Sequence, residues 1–114
     1  MVVTSEIRLS FFECNSQKVV FAKQGDRNTR FLRVVLDDGE SGFITENNDS
    51  AKLRCLLSDG TVAVESAALN NNHTVSAELS ERILEQKGVF RADIAIINKS
   101  KSIISTETFL IHVQ

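Results

Sequence analysis

Proline, tryptophan and tyrosine are absent from the 114 residues, and all seven aromatic residues are phenylalanine. Without Trp or Tyr the surface lacks the amphipathic rings that usually stack on sugars and anchor protein interfaces. Cysteine is scarce: Cys14 and Cys55 make no disulfide framework. Their spacing would suit a bridge across an immunoglobulin-like sandwich, but the tryptophan that packs on such a bridge in antibody domains is missing. Cys55 alternates with Leu53 and Leu57 and reads as a small core hydrophobe, so two free thiols are expected. Histidine is as scarce, with only His73 and His112. Two scattered cysteines and two scattered histidines give no zinc spacing.

An excess of either charge is also lacking. Thirteen basic and fifteen acidic residues give a formal charge of −2. There is no basic surplus to displace counterions from a phosphate backbone, so nucleic acid is not an expected partner. Arg27, Arg30 and Arg33 lie close together in sequence, but they read as a solvated strand-and-turn face. No apolar run approaches the roughly 18 residues of a membrane span. Residues 1–12 carry no basic leader, long apolar stretch or small-residue cleavage site, so neither a signal peptide nor a membrane partner is expected, and synthesis is expected in the cytosol. Three Asn-x-Ser/Thr matches, at Asn48, Asn72 and Asn98, read as chance without a secretory signal.

What is present is ordinary for a folded chain: 42% hydrophobic and 25% charged residues. The length suits one domain, 1–114, with one core. Most of the chain alternates with period two, the mark of half-buried strands. Ile7, Leu9 and Phe11 share one phase, Val19 and Phe21 another short one, then Leu32, Val34 and Leu36. Leu53, Cys55 and Leu57 follow, then Val62 and Val64, then Val75, Ala77 and Leu79. Phe90, Ala92, Ile94 and Ile96 keep phase in a longer strand. Residues 103–113 shift phase between Ile104 and Phe109, which predicts a bulge or bend. Phe31, Phe90 and Phe109 are expected to fill the core.

Turn chemistry punctuates these runs at Gly25-Asp26, Asp37-Asp38-Gly39, Asp59-Gly60, Asn70-Asn71-Asn72 and Asn98–Ser102. Asp59-Gly60 between two apolar strands predicts a hairpin. Residues 80–87 break the alternation and read as a short helix. Ser80 would cap its start, Gly88 would stop it, and Leu79 and Leu84 would staple it. So short a helix must dock Ile83 and Leu84 on the strands to persist. The expected fold is all-β: an immunoglobulin-like antiparallel β-sandwich of about seven to eight strands with one short helix.

Chemistry is hard to find. No Gly-x-Ser-x-Gly elbow, phosphate loop or dinucleotide fingerprint occurs. His112 reads as an exposed strand residue and His73 lies in an Asn-rich turn. The best polar cluster is acidic: Asp37, Asp38 and Glu40, followed by Asn47, Asn48 and Asp49, which together offer oxygens of the type calcium takes. No calcium-loop pattern is matched, and the first stretch is also a good turn. No enzyme activity, cofactor or small-molecule ligand is therefore expected.

The order of elements carries more than any motif. Gly25-Asp26 leads into an apolar strand. Later come Gly88-Val89-Phe90-Arg91-Ala92-Asp93-Ile94 and the closing Phe109-Leu110-Ile111-His112-Val113. Over residues 18–114 this resembles the N-terminal domain of phage baseplate upper proteins, from tail baseplates of siphophages and prophages of Gram-positive bacteria. The resemblance implies a structural module that holds receptor-binding components through contacts with other tail and baseplate proteins. It further implies an oligomer and a virion location after synthesis in the host cytoplasm, with the chain either the N-terminal domain of a longer protein or a single-domain member. The expected contact residues are Phe11, Phe12, Ile104, Leu110 and His112. The competing reading is an adhesion or carbohydrate-binding sandwich, weakened by the missing Trp and Tyr.

Overall fold

The structure is a computed structural model that describes residues 1–11, 17–37, 49–70 and 74–114. In chain order it contains β1 (Val3–Ser10), β2 (Val19–Ala22), β3 (Arg30–Asp37), β4 (Ser50–Leu56) and β5 (Val62–Asn70). These are followed by β6 (Thr74–Glu78), α1 (Glu81–Leu84), β7 (Gly88–Ile97), β8 (Ile103–Ser105) and β9 (Phe109–Val113). The strands form one mixed sheet in the order β1-β3-β6-β5-β4-β7-β9-β2, with β8 beside β7. The sheet curls until its two end strands, β1 and β2, approach one another, giving a near-barrel around one core.

The all-β class and the short helix agree with the sequence reading. The antiparallel pattern is not complete, because β1 lies parallel to β3 and β2 parallel to β9. Consecutive strands β1 and β2 sit at opposite ends of the sheet, so each joins a neighbour that no hairpin could supply. The expected hairpin at Asp59-Gly60 joins β4 to β5. Gly60 takes a φ of +87°, which a side chain would strain. The Asp59 carboxylate accepts from the Thr61 amide (2.9 Å) and hydroxyl (2.6 Å), and these bonds hold its pKa below the usual carboxylate range. Beyond the turn, β5 pairs first with β4 through Ala67 and then with β6 from Ala68, so one strand carries the sheet round the corner.

The core receives Leu32, Val34 and Leu36 from β3, Leu53 and Cys55 from β4, and Phe90, Ala92, Ile94 and Ile96 from β7, as the alternation predicts. Two phases are reversed. Val20 and Ala22 point inward while Val19 and Phe21 are exposed, and Ala63 is buried while Val62 and Val64 are exposed. Phe31 is half-buried on the face opposite Leu32. Cys55 is buried with a free thiol, and burial pushes its pKa up to about 11. Cys14 lies outside the described residues.

The helix is one turn, and Ile83 and Leu84 are buried beneath it, as its shortness requires. Ser80 sits at the N-cap position without capping. Its hydroxyl donates instead to Glu65 Oε1 at 2.8 Å, tying the helix start to β5. Gly88 does not end the helix but opens β7, and a Cβ there would meet the Phe90 ring at 3.1 Å.

The phase shift in the last segment is a bulge. Both β8 and β9 pair antiparallel with β7, but the register between them slips by one residue. Thr106 fills the slip: its amide donates to the Ile94 carbonyl (2.9 Å) and its hydroxyl accepts from the Ile94 amide (3.1 Å). The bulge also turns Glu107 toward the seam between β1 and β2. The Glu107 amide donates to the Ser10 carbonyl (2.8 Å), while its carboxylate accepts from the Ser10 amide (2.7 Å) and from Lys18 Nζ (3.4 Å). One residue thus bonds to the end of β1 and to the approach to β2.

Candidate interaction face

The outer face of β5-β4-β7-β9-β2 follows from the registers. One row across the sheet runs Val64, Arg54, Asp93. The next runs Val62 beside Leu56, then Arg91, Leu110 and Val19. The third runs Val89, His112, Phe21. Most of these side chains are apolar and open to solvent: Phe21, Val64 and Val89 are each 55% exposed, Val62 48% and Leu56 46%. The Phe21 and His112 rings tilt together with centroids 5.5 Å apart.

Polar groups on this face are few and ordered. Arg54 grips Asp93 in a fork, with Nε to Oδ1 at 2.8 Å and Nη2 to Oδ2 at 2.9 Å. It also donates to Ser105 Oγ at 2.7 Å. The hydrogen bonds to Asp93 hold the guanidinium pKa above its ordinary value. Arg91 stands in the middle of the apolar row and makes no ion pair among the described residues. Together Arg54, Leu56, Val62, Arg91 and Asp93 line an open cleft of about 280 Å³.

Most of the other arginines are spent locally; Arg82 makes no ion pair among the described residues and donates to Thr61 Oγ1 at 3.4 Å, off this face. Arg27 pairs with Glu81, Arg30 with Asp26, Arg33 with Glu6 and Arg8 with Asp37. The Arg27/Arg30/Arg33 run is therefore a neutralised surface, in line with its reading as a solvated face. Asp37 ends β3, whereas Asp38, Glu40, Asn47 and Asn48 lie outside the described residues. The expected calcium oxygens accordingly lie mostly outside the described residues, as does His73.

The expected contact residues divide. Leu110 and His112 fall side by side on the outer face. Ile104 does not join them: it is opposite the buried Ile96 and points to the other side of the sheet, because the bulge reverses the phase. Phe11 packs partly buried against the core, and Phe12 lies outside the described residues. Sequence reasoning did not place Val19, Phe21, Leu56, Val62, Val64, Val89 and Arg91 on this face. A usable signal was there in the small residues: Ala22 and Ala63 sit one position from larger neighbours and occupy the inner phase.

No protein-family model matches this chain. No curated protein matches it either. Among solved structures, it is similar to the N-terminal domain of phage TP901-1 ORF48, with a TM-score of 0.75 over 97% of this chain and 98% of that one. Sequence identity between the two is 15%, so the likeness is one of fold.

Proposed function

We propose that this chain is a structural module of a phage tail, a baseplate component that connects other tail proteins. The observation that carries the reading is the end-to-end likeness in fold to a domain of a phage protein. The element order that resembles baseplate upper proteins supports it independently, since at 15% identity the fold likeness owes little to residue-by-residue sequence. The outer face supplies a means: a rigid sheet presenting apolar side chains around two arginines is built to be covered by protein. In this reading the chain resides in the virion, attached to other tail proteins and assembled as an oligomer, and it performs no chemistry.

The test is to tag the chain in a phage that encodes it, purify intact particles and detach tails. The tagged chain is expected to sediment with tails and to co-purify with baseplate proteins under mild detergent. Its absence from purified particles, with normal expression in the host, would overturn the reading. A reproducible glycan-array signal from the isolated chain, without any tail association, would favour the carbohydrate-binding alternative.

A further inference from the structure

We infer that the outer face receives a segment of a different protein that presents a carboxylate between apolar side chains, with Arg91 as the anchor. This deepens the assembly reading by naming the chemistry of the partner, and it rests on that reading for the partner's source.

The argument begins with charge. Arg8, Arg27, Arg30, Arg33 and Arg54 all have carboxylate partners, so the fold pairs these arginines locally. Among the described residues Arg82 and Arg91 have none; Arg82 leans on Thr61 at the β4–β5 turn, whereas Arg91 occupies the centre of a row flanked by Leu56 and Leu110. An arginine amid exposed apolar groups matches the makeup of interface hot spots, where a planar guanidinium takes a carboxylate in a two-pronged bond. The neighbouring cleft is lined by apolar side chains as well, so the incoming acid would be seated among Leu56 and Val62 and partly removed from water.

The same charges argue against a second copy of this chain on this face. A two-fold contact is self-complementary, so the acid that Arg91 needs would have to come from the same surface on the partner. The acid on the outer-face rows, Asp93, is already held in the Arg54 fork. Among the described residues a face-to-face dimer would bring Arg91 toward Arg91 with only the Asp93 carboxylates nearby, each already held by Arg54, which is unfavourable. Charge complementarity therefore argues against a two-fold contact and for an acid-bearing segment; a head-to-tail contact with another copy is an outcome that the ultracentrifugation below detects. Two-fold self-association in an assembled tail falls to another surface.

The test uses a random peptide library selected on the whole chain, with the winning peptides resynthesised and measured by calorimetry. Enriched peptides are expected to carry Asp or Glu flanked by apolar residues. Their affinity should fall by at least about tenfold for Arg91→Glu and for the Asp→Asn or Glu→Gln peptide. Arg91 is exposed, so its variant should melt like the parent, which separates lost binding from lost folding. Enriched peptides without a carboxylate, or binding indifferent to Arg91→Glu, would overturn the inference. So would a dimer in analytical ultracentrifugation that Phe21→Ser disperses. The assembly reading is judged separately: co-purification with tails retained by Arg91→Glu alongside carboxylate-free peptides sinks this inference alone. Acidic peptides that bind a chain never found in tails sink the assembly reading alone.

Discussion

The two faces of β5-β4-β7-β9-β2 share a backbone and differ in what they do. The inner face carries Ala63, Cys55, Ala92, Ile111 and Val20 in successive strands, all buried. The outer face carries Val62, Leu56, Arg91, Leu110 and Val19, of which the first two are largely exposed. In β5 Val62 and Val64 are outside and Ala63 inside, and in β2 Phe21 is outside and Ala22 inside. A curled sheet closes on a limited volume, which Phe109, Ile94 and Leu53 already fill to near-complete burial. In β5 and at Phe21/Ala22 size sorted the apolar residues between the faces, whereas in β4, β7 and β9 hydrophobicity did.

The comparison can be broken most sharply at the centre of the core. Phe109 is fully buried, and Phe109→Ala is expected to cost about 3–5 kcal/mol in denaturant unfolding. A loss below about 1 kcal/mol would show a core that collapses around the gap. Next in size is the reverse change. If inner volume is limiting, Ala63→Leu should destabilise by about 1–3 kcal/mol through overpacking. Val62→Leu, one residue away on the outer face, should change little. Equal effects of the two would undo the size argument.

Glu107→Ala sharpens the comparison at the seam, where neither face is continuous. It removes the acceptor of the Ser10 amide and of Lys18. The expected loss is about 1–3 kcal/mol, the cost of stranding partly buried donors. Hydrogen exchange should show β1 and β2 opening before β4 and β7. Uniform opening of all four would mean that the seam is not the weak point.

A smaller effect is expected at Cys55, through pH. The folded thiol keeps its proton up to about 11, whereas an unfolded thiol loses it nearer the ordinary value of 9.0. The unfolded chain therefore ionises first, and stability falls as pH rises between those values. Cys55→Ala should flatten that part of the pH profile whatever it costs at neutral pH. An unchanged slope would mean that the thiol is not shielded.

Much of the fold was legible because β4 alternates and Leu32, Val34 and Leu36 of β3 and Phe90, Ala92, Ile94 and Ile96 of β7 keep one phase, although Phe31 shows that β3 carries apolar residues on both. The one-residue slip was legible too, as a clash between the phase of Ile104 and that of Phe109. The parallel pairings were not, because alternation specifies a face and says nothing about the neighbour. The outer face was half legible. Leu110 and His112 follow from the phase of β9, but Ile104 was carried with them because the place of the bulge decides on which side it falls. Val19 and Phe21, and Val62 and Val64, were grouped as the apolar phase of their strands, but each pair falls on the outer face, because Val20, Ala22 and Ala63 supply an equally apolar inner phase.

The smallest effect decides what the outer face is for. Val64 is exposed beside the Arg54 fork and packs against nothing in the core. Val64→Thr preserves β-branching, so its strand preference is kept while a methyl becomes a hydroxyl. Stability should shift by no more than about 0.5 kcal/mol. If the face is a contact surface, the same substitution should weaken capture of tail proteins, since binding there depends on apolar area being covered. A variant that melts like its parent and binds like its parent would leave Val64 outside the contact. A variant that melts like its parent and binds poorly would show an apolar residue kept exposed for a partner, at no gain to the fold that carries it.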